Sequence, residues 1–142
     1  MLRPLATASL LLPLLLTGCG EQPQALDRVD GVTVLVAGNR SGGSDQRIAG
    51  TLRNINGCLG LELNEQNKWI AVFPNGSEVA DDGLSVTLPN GSAVSAGDFI
   101  EAGGDTFDRG HPPENAPDIP AKCGNVSAAL LTDPHVSEED RD

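Results

Sequence analysis

The stretch Thr51-Leu52-Arg53-Asn54-Ile55-Asn56-Gly57-Cys58-Leu59-Gly60-Leu61-Glu62-Leu63 decides the fold class. Leu59, Leu61 and Leu63 alternate with Gly60 and Glu62, the period of two that turns one face of a strand inward and the other outward. Ahead of them, Asn56-Gly57 is a dipeptide that tolerates the positive φ angles of a tight hairpin turn. The stretch predicts a strand over Ile48 to Asn54, a turn, and a strand over Cys58 to Leu63, joined as a hairpin.

The same grammar extends in both directions. Leu84, Val86 and Leu88 alternate with Ser85 and Thr87, whereas Trp69-Ile70-Ala71-Val72-Phe73 is apolar at every position, which predicts burial on both sides. Further strands are expected over Val32 to Ala37, Lys68 to Phe73, Leu84 to Leu88, Asp98 to Glu101 and Val126 to Leu131. Pro74 and Pro89 lack an amide donor, so each marks a strand end. Phe73 to Val79 (FPNGSEV) is echoed 15 residues later by Leu88 to Val94 (LPNGSAV). Two successive hairpin corners built with the same turn are expected there, with paired ligand loops as the alternative. The expected architecture is all-β: a small partly open barrel of the oligonucleotide/oligosaccharide-binding kind, or a small sandwich, of about six to seven short strands.

Composition narrows the function classes. Lys+Arg number 9 against 20 Asp+Glu, a net charge of -11, which is the wrong sign for a partner whose backbone is phosphate, so nucleic acid is excluded. With 142 residues and 3% aromatics, the chain has room for one domain with a modest core.

The amino terminus reads as an export signal. Met1 to Gly18 carries one early charge at Arg3, an apolar run from Leu5 to Leu16, and small residues before Cys19. The run is 12 residues long and contains Pro13, against about 20 apolar residues for a spanning helix. Leu16-Thr17-Gly18-Cys19 resembles the lipobox of bacterial lipoproteins. The resemblance implies a diacylglyceryl group on the Cys19 sulfur, cleavage before that residue, and a protein held outside the cytoplasm on the membrane by its lipid. Two acyl chains at one residue would meet the requirement for stable anchoring.

Three cysteines in an exported chain leave an odd one. With Cys19 lipidated, Cys58 and Cys123 remain and are expected to pair, closing 65 residues in an oxidising compartment. Residues 19–28 then form a flexible tether, 29–132 the β-rich domain with a long Gly/Pro loop at 102–122, and 133–142 an acidic tail. The body resembles small β-rich envelope lipoproteins through Gly50 to Leu52, Cys58, Trp69, Pro74 to Gly76, Gly97-Asp98 and Gly103-Gly104. That resemblance implies no activity.

Candidate chemistry is sparse. The sequence has no Gly-x-Ser-x-Gly elbow, and His111 and His135 read as loop residues beside prolines. Asp98, Glu101, Asp105 and Asp108 could supply oxygens to calcium, but no metal or other cofactor is expected. Trp69 is expected to be a core residue, with an exposed platform for a sugar or peptide as the functional alternative. The expected function is a non-catalytic, membrane-anchored binding or scaffolding module of the cell envelope, with an envelope protein or glycan as partner. The alternatives are a hydrolase using carboxylates and a calcium-responsive accessory subunit.

Overall fold

The hairpin predicted at the opening stretch forms as expected. In the computed structural model, which describes residues 23–26, 31–39 and 46–138, β3 (Gln46–Ile55) pairs with β4 (Cys58–Asn64) from Ile55 against Cys58. Asn56 and Gly57 take φ angles of 54° and 87°, the two positive values that a two-residue turn with the twist of its strands demands.

From β4 the chain turns into β5 (Asn67–Phe73), antiparallel. After an excursion it returns as β9 (Phe99–Phe107), antiparallel to β3, and then as β10 (Ala128–Val136), antiparallel to β9 and parallel to β5. The ladders close a ring in the order β3-β4-β5-β10-β9 and back to β3. Counted as first to fifth along the chain, these strands run 1-2-3-5-4, with the third and fifth parallel. That is the Greek-key order of the oligonucleotide/oligosaccharide-binding barrel, so a barrel forms and not a sandwich. Two additions complete the larger sheet. β2 (Val34–Val36) lies parallel to the end of β5, on the edge that β4 leaves, and β1 (Gln24–Leu26) pairs antiparallel with β2. A separate meander of β6 (Glu78–Val79), β7 (Ser85–Thr87) and β8 (Ala93–Ser95) occupies the excursion.

Alternation along each strand sorts the core into two clusters. Inside the barrel lie Ile48, Leu52, Leu59, Leu61, Ala71, Phe73, Ile100, Ala102, Ala129 and Leu131, and Val86, Leu88 and Val94 of the meander pack onto them. The second cluster lies outside the ring. Leu35, Ile70, Val72, Ala128 and Leu130 point outward from β2, β5 and β10 and are covered by Phe107, Ala116, Ile119 and Cys123. The segments in parallel contact, Leu35 to Val36, Ile70 to Phe73 and Ala128 to Leu130, are therefore apolar at every position because both of their faces are buried.

Three boundaries differ substantially from the sequence expectation. Gln24 to Leu26, expected in the flexible tether, form a strand because the edge of β2 offers unpaired backbone. Ala102 to Phe107, expected as the start of the long loop, continue β9. Gly103-Gly104 does not break it, because a Cβ at Gly104 would lie 1.9 Å from the Leu130 carbonyl oxygen, where the barrel wall leaves room only for hydrogen. The connection therefore begins at Asp108 and is a packed cover instead of a bare return. Residues 133–136, expected in the acidic tail, extend β10, and the Ser137 amide still donates to the Phe99 carbonyl at 2.9 Å. Pro134 hid this extension: the ladder lapses between Thr132 and His135 and then resumes. The short strands β6 and β8 were also not anticipated. The expected export signal, the lipobox-like Leu16-Thr17-Gly18-Cys19 and the expected lipidation at Cys19 fall outside the described residues.

Cys58 and Cys123 are bonded, with Cα atoms 5.5 Å apart and both side chains fully buried. They join the start of β4 to the 3₁₀ turn Ala121–Cys123.

Two stability outcomes follow. Closing 65 residues constrains the unfolded chain by about 4 kcal/mol in the chain-entropy account, so Cys58→Ser with Cys123→Ser should lower the unfolding free energy by that order in urea titrations. Gly104→Ala, which forces a methyl into the β10 backbone at a φ of 150°, should cost about 1–3 kcal/mol or more by the same titration.

Candidate functional site

In barrels of this order, ligands commonly bind on the outer face of the second and third strands, between the loops that join strands one to two and four to five. Here that face is already occupied. The first of those loops is the two-residue turn Asn56-Gly57, and the other is the connection from Asp108 to Ser127, which lies over Ile70 and Val72. The connection is tied down at several points besides the disulfide. Asn56 Nδ2 donates to the Cys123 carbonyl at 3.0 Å, and the Arg109 guanidinium donates to the carbonyls of Pro120 and Gly124. The Gly38 amide donates to the Asn115 carbonyl at 2.7 Å, and the Asn115 side chain donates to the Asn39 carbonyl. Within the cover, Asp118 Oδ1 accepts the amides of Gly110 at 3.0 Å and Ile119 at 2.9 Å.

The residues singled out from sequence are scattered. Trp69 packs, half-buried, against the barrel core. A cleft of about 340 Å³ adjoins it, lined also by Ile48, Phe99 and Leu63, whose side chain is 51% exposed.

The four acidic residues do not gather. Asp98 accepts the Ser95 amide at 2.8 Å, Glu101 lies against Arg47 and 3.8 Å from His135 Nε2, and Asp108 accepts the Ser127 hydroxyl at 2.7 Å. Asp105 sits in β9 opposite Leu130. Among the described residues no group of three or more His, Cys, Asp or Glu side chains could hold a metal ion. His135 is exposed, with its Nδ1 3.1 Å from the Asp133 carbonyl, and His111 is exposed in the cover.

The larger concavity, about 430 Å³, lies where β2 and β5 deliver the chain at their carboxyl ends, beside the break in the middle of β10. Ala37 to Asn39 leave β2, Pro74 and Asn75 leave β5, and Leu130 to Pro134 belong to β10 at its irregularity. The fourth wall is Leu88 to Asn90, from the turn between β7 and β8.

The two halves of the internal echo thus meet across one cleft, and a Cβ on Gly76 would lie 3.7 Å from the Pro89 ring. They are not the same turn. In the first, the Ser77 amide donates to the Pro74 carbonyl at 3.1 Å, with Gly76 third at φ 86°, the pattern of a type II turn leading out of the barrel. In the second, the Gly91 amide donates to the Leu88 carbonyl at 2.9 Å and the Leu88 amide to the Ser92 carbonyl at 2.7 Å, a true hairpin with Gly91 as the bulge residue. Identical letters close differently because only the second copy is flanked by strands that pair with each other.

Asp133 is the other distinctive element of the cleft. It takes φ 47°, although the residue before a proline is driven toward extended backbone. A non-glycine residue in that region costs of order 1 kcal/mol or more and persists only where its surroundings enforce it. Sequence reasoning noticed Asn75 and Asn90 through the echo but passed over Asn39, Thr132 and Asp133. The Asp133-Pro134 dipeptide inside an otherwise regular apolar strand was the available signal.

Comparison with family models, with curated proteins and with solved structures returns no match, so the chemistry rests on this geometry. Among the described residues lining the cleft, Asp133 is the ionisable one. The rest of its polar lining is amide and hydroxyl: Asn39, Asn75, Asn90 and Thr132. Such a set can hold an uncharged ligand by paired hydrogen bonds against the proline rings of Pro74, Pro89 and Pro134.

The anchoring of the cover is pH-dependent. The Gly110 amide first, and then the Ile119 amide, hold the Asp118 carboxyl below its ordinary 3.8. A depressed carboxylate pKa adds stability above the unfolded-state value, and that contribution is lost as pH falls through the depressed one. Hydrogen exchange at the Gly110 and Ile119 amides should therefore accelerate, relative to the barrel strands, on acidification below pH 3.8, and Asp118→Ala should show the faster exchange already at neutral pH.

Proposed function

We propose that this chain is an exported lipoprotein, anchored outside the cytoplasm through Cys19, and that its barrel serves as a non-catalytic binding module of the cell envelope. The observation that carries the anchoring is the lipobox Leu16-Thr17-Gly18-Cys19. The disulfide supports it from the other direction: with Cys58 bonded to Cys123, Cys19 is the remaining cysteine of the three, as a lipidated sulfur requires. A buried disulfide is also what an oxidising compartment permits.

Binding is favoured over scaffolding alone by the cleft at the strand ends. It is large enough for a small ligand, about 300 Å³ being the lower bound for such sites, and its donors and acceptors sit on backbone anchored in three strands. The partner is an envelope component, glycan or protein, met by a module held at the membrane surface. A net charge of -11 turns such a module away from anionic headgroups, so the lipid is left to do the holding.

Expressed in a bacterial host with an alkyne-bearing palmitate, the full chain should take up label and partition into the detergent phase. Cys19→Ser should stay unlabelled and remain aqueous. A wild-type chain recovered with Met1 in place and a free thiol at Cys19 overturns the anchoring.

A further inference from the structure

We infer that the cleft between the carboxyl ends of β2 and β5 and the break in β10 is a subsite for an uncharged saccharide, with Asp133 as the residue that rejects acidic ones. The inference rests on the binding-module reading and gives it a ligand class.

The unused hydrogen-bonding capacity carries it. The Asn75 side chain, half-buried at the rim, has no hydrogen-bond partner among the described residues. Asn90 uses its Oδ1 on the Ser92 amide at 2.9 Å, which fixes the side chain and aims its Nδ2 donors elsewhere. The Thr132 hydroxyl and the Asp133 carboxylate are exposed and also without partners among the described residues. The Asn75 amide offers a donor and an acceptor about one hydroxyl spacing apart, the complement of a vicinal diol, and Asn90 Nδ2 offers further donors. Pro74 and Pro89 add flat aliphatic surface of the kind that a pyranose ring's C–H face covers.

Other ligand classes fit less well. A phosphate or carboxylate would meet Asp133 with no cation in the described lining to balance it. A purely apolar ligand would strip water from these polar side chains and return nothing. The backbone at Asp133 is a second, independent observation. Holding a residue before proline at φ 47° breaks two residues out of the β10 ladder, and the product of that distortion is a carboxylate placed in the cleft.

The test uses the full lipidated chain in detergent, isotopically labelled, titrated with four probes: cellobiose, chitobiose, digalacturonate and trialanine. Amide shifts report the site, and calorimetry reports the affinity. One or both neutral disaccharides should bind and shift Asn75, Asn90 and Thr132. Asn75→Ala, which removes no hydrogen bond among the described residues, should weaken that binding at least tenfold with an unchanged melting temperature. Asp133→Asn, which tolerates the same backbone, should keep neutral affinity within about threefold and gain digalacturonate binding.

Digalacturonate binding the wild type as well as cellobiose does overturns the charge selection. Trialanine shifting the same amides while neither neutral disaccharide does overturns the saccharide but leaves the binding module standing. If no probe shifts the cleft, both fall.

Discussion

The bond between Cys58 and Cys123 holds a cover onto a surface that could not otherwise be left in water. Where β2, β5 and β10 run in parallel contact, every residue from Leu35 to Val36, Ile70 to Phe73 and Ala128 to Leu130 is apolar, so whatever fills the barrel, a row of Leu35, Ile70, Val72, Ala128 and Leu130 points outward. The connection laid over them brings few large side chains of its own: Ile119, Val126 and Ala116, among prolines, glycines and charges. Such a segment buries too little to offset the entropy of ordering it, at about 1–2 kcal/mol per residue of backbone. The covalent link removes much of that entropy from the unfolded chain as well. The Arg109 and Asn56 hydrogen bonds to carbonyls on either side of Cys123 then fix the geometry locally.

Covering that face redirects function. The barrel order usually leaves its second and third strands free to receive a ligand, and in this chain the fifth strand's own approach has taken their place. The concavity that remains is made of strand exits, where backbone leaves a rigid ring and side chains stand on short, well-anchored turns. The meander β6–β8 contributes to both ends of this arrangement, since Val86 and Val94 plug the barrel while Leu88 to Asn90 wall the cleft. Stability and site are thus built by the same three short strands.

Much of this was legible in the residues, and what was not has physical reasons. Alternation at Leu59 to Leu61, unbroken apolarity at Ile70 to Phe73 and the Asn56-Gly57 turn identified strands and their pairing because local pattern and tertiary burial agree there, whereas Leu63, expected to face inward, is exposed beyond the covered part of β4. The cysteine pair was readable once Cys19 was set aside. Gly103-Gly104 misled because two glycines normally end a strand, whereas here their missing side chains let β9 and β10 approach. Pro134 misled in the same way, ending a ladder that resumes two residues on. The cleft was the least legible feature. Its lining comes from four separated segments, and no periodicity in one of them announces the other three.

The distortion at Asp133-Pro134 is the more telling because the domain has little stability to give away. With aromatic residues at 3% of the chain and alanine or glycine at several inward positions, the barrel core is small. A continuous β10 would restore ladder bonds and relieve a backbone strain of about 1–3 kcal/mol, a sizeable part of the 5–15 kcal/mol that holds a typical domain together. The fold thus keeps an unfavourable backbone feature at the edge of the 430 Å³ cleft while a disulfide clamps the cover over the outer face of β5 and β10, which is the distribution that the proposed binding site requires.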